Sequence, residues 1–63
     1  MELKENDLVY YTYSNASPLK CRVKRFISYK DRNYIILVQE DQAIKSEILV
    51  LEDQIEDCVR KID

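Results

Sequence analysis

The chain has 63 residues, with ten Lys or Arg against twelve Asp or Glu, two Cys, and neither His nor Gly. A chain of this length makes one domain, residues 1–63, and buries only about 60% of the surface its unfolded form exposes, which leaves little room for a concave catalytic pocket. Without histidine, two thiols fall short of the four Cys or His ligands of a structural zinc site, and the acids lack the spacing and central glycine of a calcium loop, so no metal and no cofactor is expected.

Hydrophobic residues at 46% and charged residues at 35% suit a globular chain rather than a disordered one. No apolar run approaches the length of a membrane helix, and Met1 to Asp7 is charged rather than signal-like, which predicts a soluble cytoplasmic protein. Cys21 and Cys58 are then expected as free buried thiols, the alternative being a disulfide that encloses most of the chain. The small net charge hides a division. Residues 1–38 carry seven Lys or Arg against four Asp or Glu, and residues 39–63 carry three against eight, so a dipolar surface is expected.

In chain order, DLVYYTY (Asp7 to Tyr13) is rich in aromatic and β-branched residues and predicts a strand. SNASP (Ser14 to Pro18) predicts an exposed loop. From Lys20 the pattern alternates, with Cys21 and Val23 on one face and Lys20, Arg22 and Lys24 on the other. Strict continuation would bury Arg25 and expose Phe26, so a bulge or bend is predicted between Lys24 and Phe26. KDRN (Lys30 to Asn33) predicts a hairpin turn. In the absence of glycine, Asn15, Asp31 and Asn33 are the expected carriers of positive φ, with Asn33 supplying the left-handed residue of this turn. YIILVQ (Tyr34 to Gln39) is apolar on both faces, as a central strand covered on both sides would be. EDQAIK (Glu40 to Lys45) reads as a turn and SEILVL (Ser46 to Leu51) as a strand. The last segment allows two structures: a helical turn near residues 52–57 followed by a closing strand at CVRKI, or an amphipathic helix over 53–62 with Leu51, Ile55, Val59 and Ile62 on one face.

The opening ENDLVYY, with Asn6 where a glycine would stand in a GD-x-V start, and the segment EILVLEDQIED, with its short turn before a final strand, resemble the Src-homology-3-like small barrels, a superfold that includes Tudor and KOW modules. The resemblance covers residues 5–62 as spacing rather than as a motif. It implies an all-β fold, a five-stranded small barrel with the helical turn near 52–57; the alternative is a four-stranded antiparallel sheet with a helix at 53–62. The peptide-binding members carry a tryptophan pair and a proline near the helical turn, and KOW modules turn on a glycine. This chain has no tryptophan and no glycine, and its one proline, Pro18, lies in the first loop, so only the architecture is carried over.

No catalytic residues are expected, because a cysteine nucleophile needs a base and histidine is missing. Five tyrosines exceed what so small a core can bury, and exposed tyrosine beside arginine is the composition of an interface centre. The expected partner-binding residues are Tyr10, Tyr13, Tyr29, Arg22, Lys24 and Phe26, in a protein-binding module. It would serve as an adaptor subunit or as a stoichiometric inhibitor of a larger protein, of the sort small mobile genetic elements encode. The alternative is a nucleic-acid-binding barrel that uses Lys20, Arg22, Lys24, Lys30 and Arg32 for phosphate contacts, against which stands an isoelectric point near 5.0. Pairing through an exposed strand edge to form a homodimer is a further expected route to association.

Overall fold

The structure is a computed structural model and describes residues 2–40, 43 and 46–62. Five strands form: β1 (Leu8–Tyr11), β2 (Leu19–Tyr29), β3 (Arg32–Gln39), β4 (Glu47–Leu51) and β5 (Val59–Lys61). Between β4 and β5, a 3₁₀ turn (Glu52–Gln54) runs into one turn of helix, α1 (Ile55–Cys58). The strands make a single antiparallel sheet in the order β4-β3-β2-β1-β5. The chain is therefore all-β with one short helix. The sheet is not closed into a barrel. Among the described residues β4 pairs only with β3, and β5 only with β1. These edge strands are short, and Ile55 and Cys58 of α1 pack against the core.

The helix over 53–62 does not form. Val59 turns extended, at φ −119° and ψ 132°, and pairs with Tyr11 on β1. Burial in the sheet decides this: Val59 joins the core as a strand residue, and the Cys58 carbonyl accepts a hydrogen bond from the Thr12 amide at 2.8 Å.

Residues directly opposite on an antiparallel ladder share a face, so the register assigns each side chain. Val9, Cys21, Val23, Ile35, Leu37, Val50 and Val59 form one buried cluster on the inner face. The predicted bulge is at Lys24. Val23 lies opposite Leu37, and Arg25 opposite the adjacent Ile36, leaving Lys24 without a partner on β3. The extra residue returns Arg25 to the outer face and places Phe26 opposite the buried Ile35.

The hairpin between β2 and β3 has two turn residues, Lys30 and Asp31, both with positive φ (50° and 64°). This is the backbone of a type I′ turn, whose twist matches that of the flanking strands. Asp31 carries positive φ as expected, but Asn33 and Asn15 do not; among the described residues the others are Asn6 (76°) and Ser14 (58°). Asn33 belongs to β3 opposite Ser28, because a two-residue turn leaves it one position into the ladder. The turn predicted at Glu40 to Lys45 falls largely on residues 41, 42, 44 and 45, outside the described residues.

β3 is central, and the core cluster of the described residues lies on one of its faces. Opposite residues place Ile27, Tyr34 and Leu51 in one row on the outer face, and Arg25, Ile36 and Leu49 in the next. Ile36 is only 7% exposed and yet stands outside the core cluster.

Candidate protein-binding surfaces

The basic residues of β2 are partly engaged within the fold. Arg22 donates to the Asn6 carbonyl at 2.8 Å and to Glu40 Oε1 at 3.0 Å, clamping the turn before β1 and the end of β3 to the centre of β2. Lys24, at the bulge, donates to Glu47 on β4. That hydrogen bond holds the Glu47 carboxyl below its ordinary pKa, and the charges of Lys24 and Arg25 act in the same direction. Lys20 stands opposite Tyr10. Lys30 lies over the Tyr29 ring at 5.4 Å from its centroid, and Arg32 is opposite Tyr29 across the hairpin. Among the described residues Lys20, Arg25, Lys30 and Arg32 form no ion pair within 4 Å.

The sequence pattern pointed to neither acid partner. Glu40 and Glu47 lie 18 and 23 residues beyond the cations they meet, and only the sheet register brings them together. Alternation alone signals which way a cation points, not what it meets.

The candidate tyrosines divide between two ends of the molecule. Tyr10 lies on the outer face of β1, between Lys20 of β2 and Arg60 of β5. Tyr13 follows β1 and is 68% exposed. Tyr29 closes β2 at the hairpin, at the far end of that strand from Lys20 and hence from Tyr10. Tyr11 is half-buried against the core, and burial raises its phenol pKa, with the charge of Cys58 adding to the effect.

Phe26 does not join the basic outer face. It borders a groove of about 400 Å³ with Leu3, Tyr34, Ile35, Ile55 and Glu52, and keeps 48% of its surface exposed. A short polar chain runs along this groove. The Ser28 hydroxyl donates to Asn33 Oδ1 at 2.6 Å, and Asn33 Nδ2 donates to Glu52 Oε2 at 3.1 Å.

Both cysteines are free thiols, Cys21 buried and Cys58 half-buried. Cys21 Sγ donates to the Leu19 carbonyl at 3.6 Å, and burial pushes its pKa up, the reverse of what an activated nucleophile needs. Among the described residues no three His, Cys, Asp or Glu side chains are placed to hold a metal ion, and no helix is long and apolar enough to cross a membrane. Compared with protein-family models, with curated proteins and with solved structures, the chain matches none.

Proposed function

We propose that the chain is a small non-catalytic protein-binding module, working as an adaptor subunit or as a stoichiometric inhibitor of a larger protein. The observation that carries this is the exposure of large apolar side chains. Tyr10, Tyr13, Leu19, Phe26, Tyr29 and Leu49 all stand in solvent on a chain of 63 residues, several of them beside arginine or lysine, the pairing enriched at interface centres. The run of elements, with a polar loop after β1, a tight β2–β3 hairpin and a helical turn before a closing β5, supports the resemblance to the Src-homology-3-like small barrels. The lack of histidine and the protonated state that burial favours for Cys21 speak for binding rather than catalysis.

The test is capture by the tagged chain from its host, with Tyr10→Ala and Tyr13→Ala variants beside the parent. Both variants should lose the partner while keeping the circular dichroism of the folded chain. Capture that survives both substitutions removes these rings from the interface; unfolding would show that they are structural.

A nucleic-acid reading keeps one observation in its favour: Lys20, Lys30 and Arg32 have no ion pair among the described residues. Arg22 and Lys24 also hold the fold, so reversing them would confound binding with stability. Charge reversal at Lys20, Lys30 and Arg32 is the cleaner comparison. Affinity for a short oligonucleotide that falls steeply with salt and vanishes in that variant would favour nucleic acid.

A further inference from the structure

Past the bulge, one edge of β2 is open. The two-residue turn at Lys30 and Asp31 makes Tyr29 and Arg32 a hydrogen-bonded pair, and on an antiparallel ladder such pairs alternate with pairs whose amides and carbonyls turn outward. Arg25, Ile27 and Tyr29 therefore bond to β3, whereas Phe26 and Ser28 point their backbone groups away from it. Before the bulge the outward groups are used: the Val23 amide donates to the Asp7 carbonyl at 2.9 Å, and the Val23 carbonyl accepts from the Asn6 amide at 2.8 Å. β1 pairs with β2 no further than Arg22, and no backbone group among the described residues meets Phe26 or Ser28 on that side.

The side chains of these same two residues line the groove of about 400 Å³, with Leu3 and Ile55 half-buried in its wall. An open edge thus adjoins an open apolar cleft, in which Phe26 keeps 48% of its surface exposed. The far end of the groove is acidic. The hydrogen bonds from Ser28 to Asn33 and from Asn33 to Glu52 Oε2 end on a carboxylate, and among the described residues Glu52 is the groove's only charged side chain. The adjoining cleft sets Asp31, Glu52 and Asp53 against one cation, Arg32, which forms no ion pair within 4 Å among the described residues. Whatever fills this end has to bring positive charge. A second copy paired through the same edge brings only Phe26 and Ser28 to the groove and no cation for Glu52.

We infer that β2 accepts an extended segment of a partner protein as an added strand at Phe26 and Ser28, and that this segment carries an apolar and a cationic side chain two residues apart. This rests on the protein-binding reading above and assigns it a site distinct from Tyr10 and Tyr13. In strand addition the main chain supplies affinity, and pockets for alternate side chains supply specificity. Residues opposite Phe26 and Ser28 share their face of the sheet, so the apolar side chain covers Phe26 between Leu3 and Ile55, and the lysine or arginine beside Ser28 extends along the groove to Glu52.

The test titrates the ¹⁵N-labelled full chain with the peptide Thr-Leu-Thr-Arg-Thr-Leu-Thr, which reads the same in either direction, and with its analogue that has Glu in place of Arg. The arginine peptide should shift the amides of Phe26, Ser28 and Asn33 and slow hydrogen exchange at Phe26 and Ser28, and the glutamate peptide should bind roughly tenfold more weakly or worse. Methylating the backbone nitrogens of its leucines and arginine, which removes the donors that face β2, should abolish binding. Glu52→Gln keeps an acceptor for Asn33 and should weaken the arginine peptide by roughly tenfold while leaving the glutamate peptide no weaker. The proposal is overturned by equal binding of the two peptides, by no binding, by full binding of the methylated peptide, or by shifts confined to the Tyr10 and Tyr13 end. Exchange protection of Phe26 and Ser28 that rises with the concentration of the chain alone would assign the edge to a second copy and overturn it too. A host partner captured equally by the parent and Glu52→Gln, but lost in Tyr10→Ala, would keep the protein-binding role and remove this site.

Discussion

Phe26 stands directly opposite Ile35 on the β2–β3 ladder, out of the phase set by Val23 opposite Leu37, because Lys24 between them has no partner. A bulge of this kind bends the strand and increases its local twist. Among the described residues β2 pairs beyond it with β3 alone, whereas before it β2 is held by both β1 and β3. Deleting Lys24 leaves every side chain facing as before but removes the bend, and should lower stability by about 2 kcal/mol. Lys24→Ala keeps the bulge and loses only an exposed ion pair, so it should cost less than about 1 kcal/mol. Urea midpoints of the two variants compare these directly; equal losses would mean that the bend contributes nothing.

The turn at Lys30 and Asp31 runs through left-handed backbone without a glycine. Asn and Gly are the residues such turns favour, since each relieves the steric cost of positive φ. Lys30→Asn/Asp31→Gly should therefore raise stability by about 1 kcal/mol, read as a higher thermal midpoint. Asn33→Ala should do the opposite, because Asn33 links Ser28 to Glu52.

Much of this architecture is legible in the residues themselves. The alternation of Cys21, Arg22 and Val23 marks β2, its failure at Arg25 and Phe26 marks the bulge, and the aromatic run at Leu8 to Tyr11 marks β1. These are local signals of burial. Features that depend on distant neighbours are not legible. Residue propensity alone favours Asn33 over Lys30 for positive φ, yet the ladder decides where the turn falls and puts a lysine there. Arg22 and Lys24 read as solvated cations until Glu40 and Glu47 are brought beside them. Helical spacing at Ile55, Val59 and Ile62 competes with strand alternation, and pairing with β1 settles it. Barrel closure depends on how two short edge strands meet, which no single segment encodes.

Leu37 is fully buried at the centre of the core, while Leu49 on the next strand is mostly exposed. Truncating a buried leucine costs about 2–5 kcal/mol, comparable with the roughly 3–5 kcal/mol a single core of this size supplies. Leu37→Ala should leave the chain largely unfolded at 25 °C, and Leu49→Ala should move stability by no more than about 0.5 kcal/mol. Near-ultraviolet circular dichroism of the tyrosines distinguishes the two.

Stability should decline on both sides of neutrality. Asp7 has its pKa lowered chiefly by the Lys4 amide, which donates to Oδ2 at 2.9 Å, with Lys61 also contributing at 3.5 Å. Glu47 is lowered by Lys24. A depressed folded-state pKa gives stability that is present above the unfolded-state value and is lost as pH falls through the folded one. The acid limb should accordingly begin near pH 4, where unfolded carboxylates titrate. Cys21 and Tyr11 are raised by burial, so their contribution is complete below the unfolded-state values and is lost as pH rises past them. Cys21→Ala should shift the onset of the alkaline limb, otherwise expected near pH 9, to higher pH. Melting temperature recorded from pH 3 to 11 shows both limbs.

The fold rests on a sheet with two separate apolar faces, kept apart by the bulge at Lys24. Nuclear Overhauser effects between side chains measure this directly. Contacts from Phe26 to the Ile35 side, together with a distinct set joining Ile36 to Leu49 and Tyr34 to Leu51, are the predicted result. Contacts from Phe26 to Ile36, or from Leu49 to Leu37 and Val23, would place the outer row in the core and contradict it.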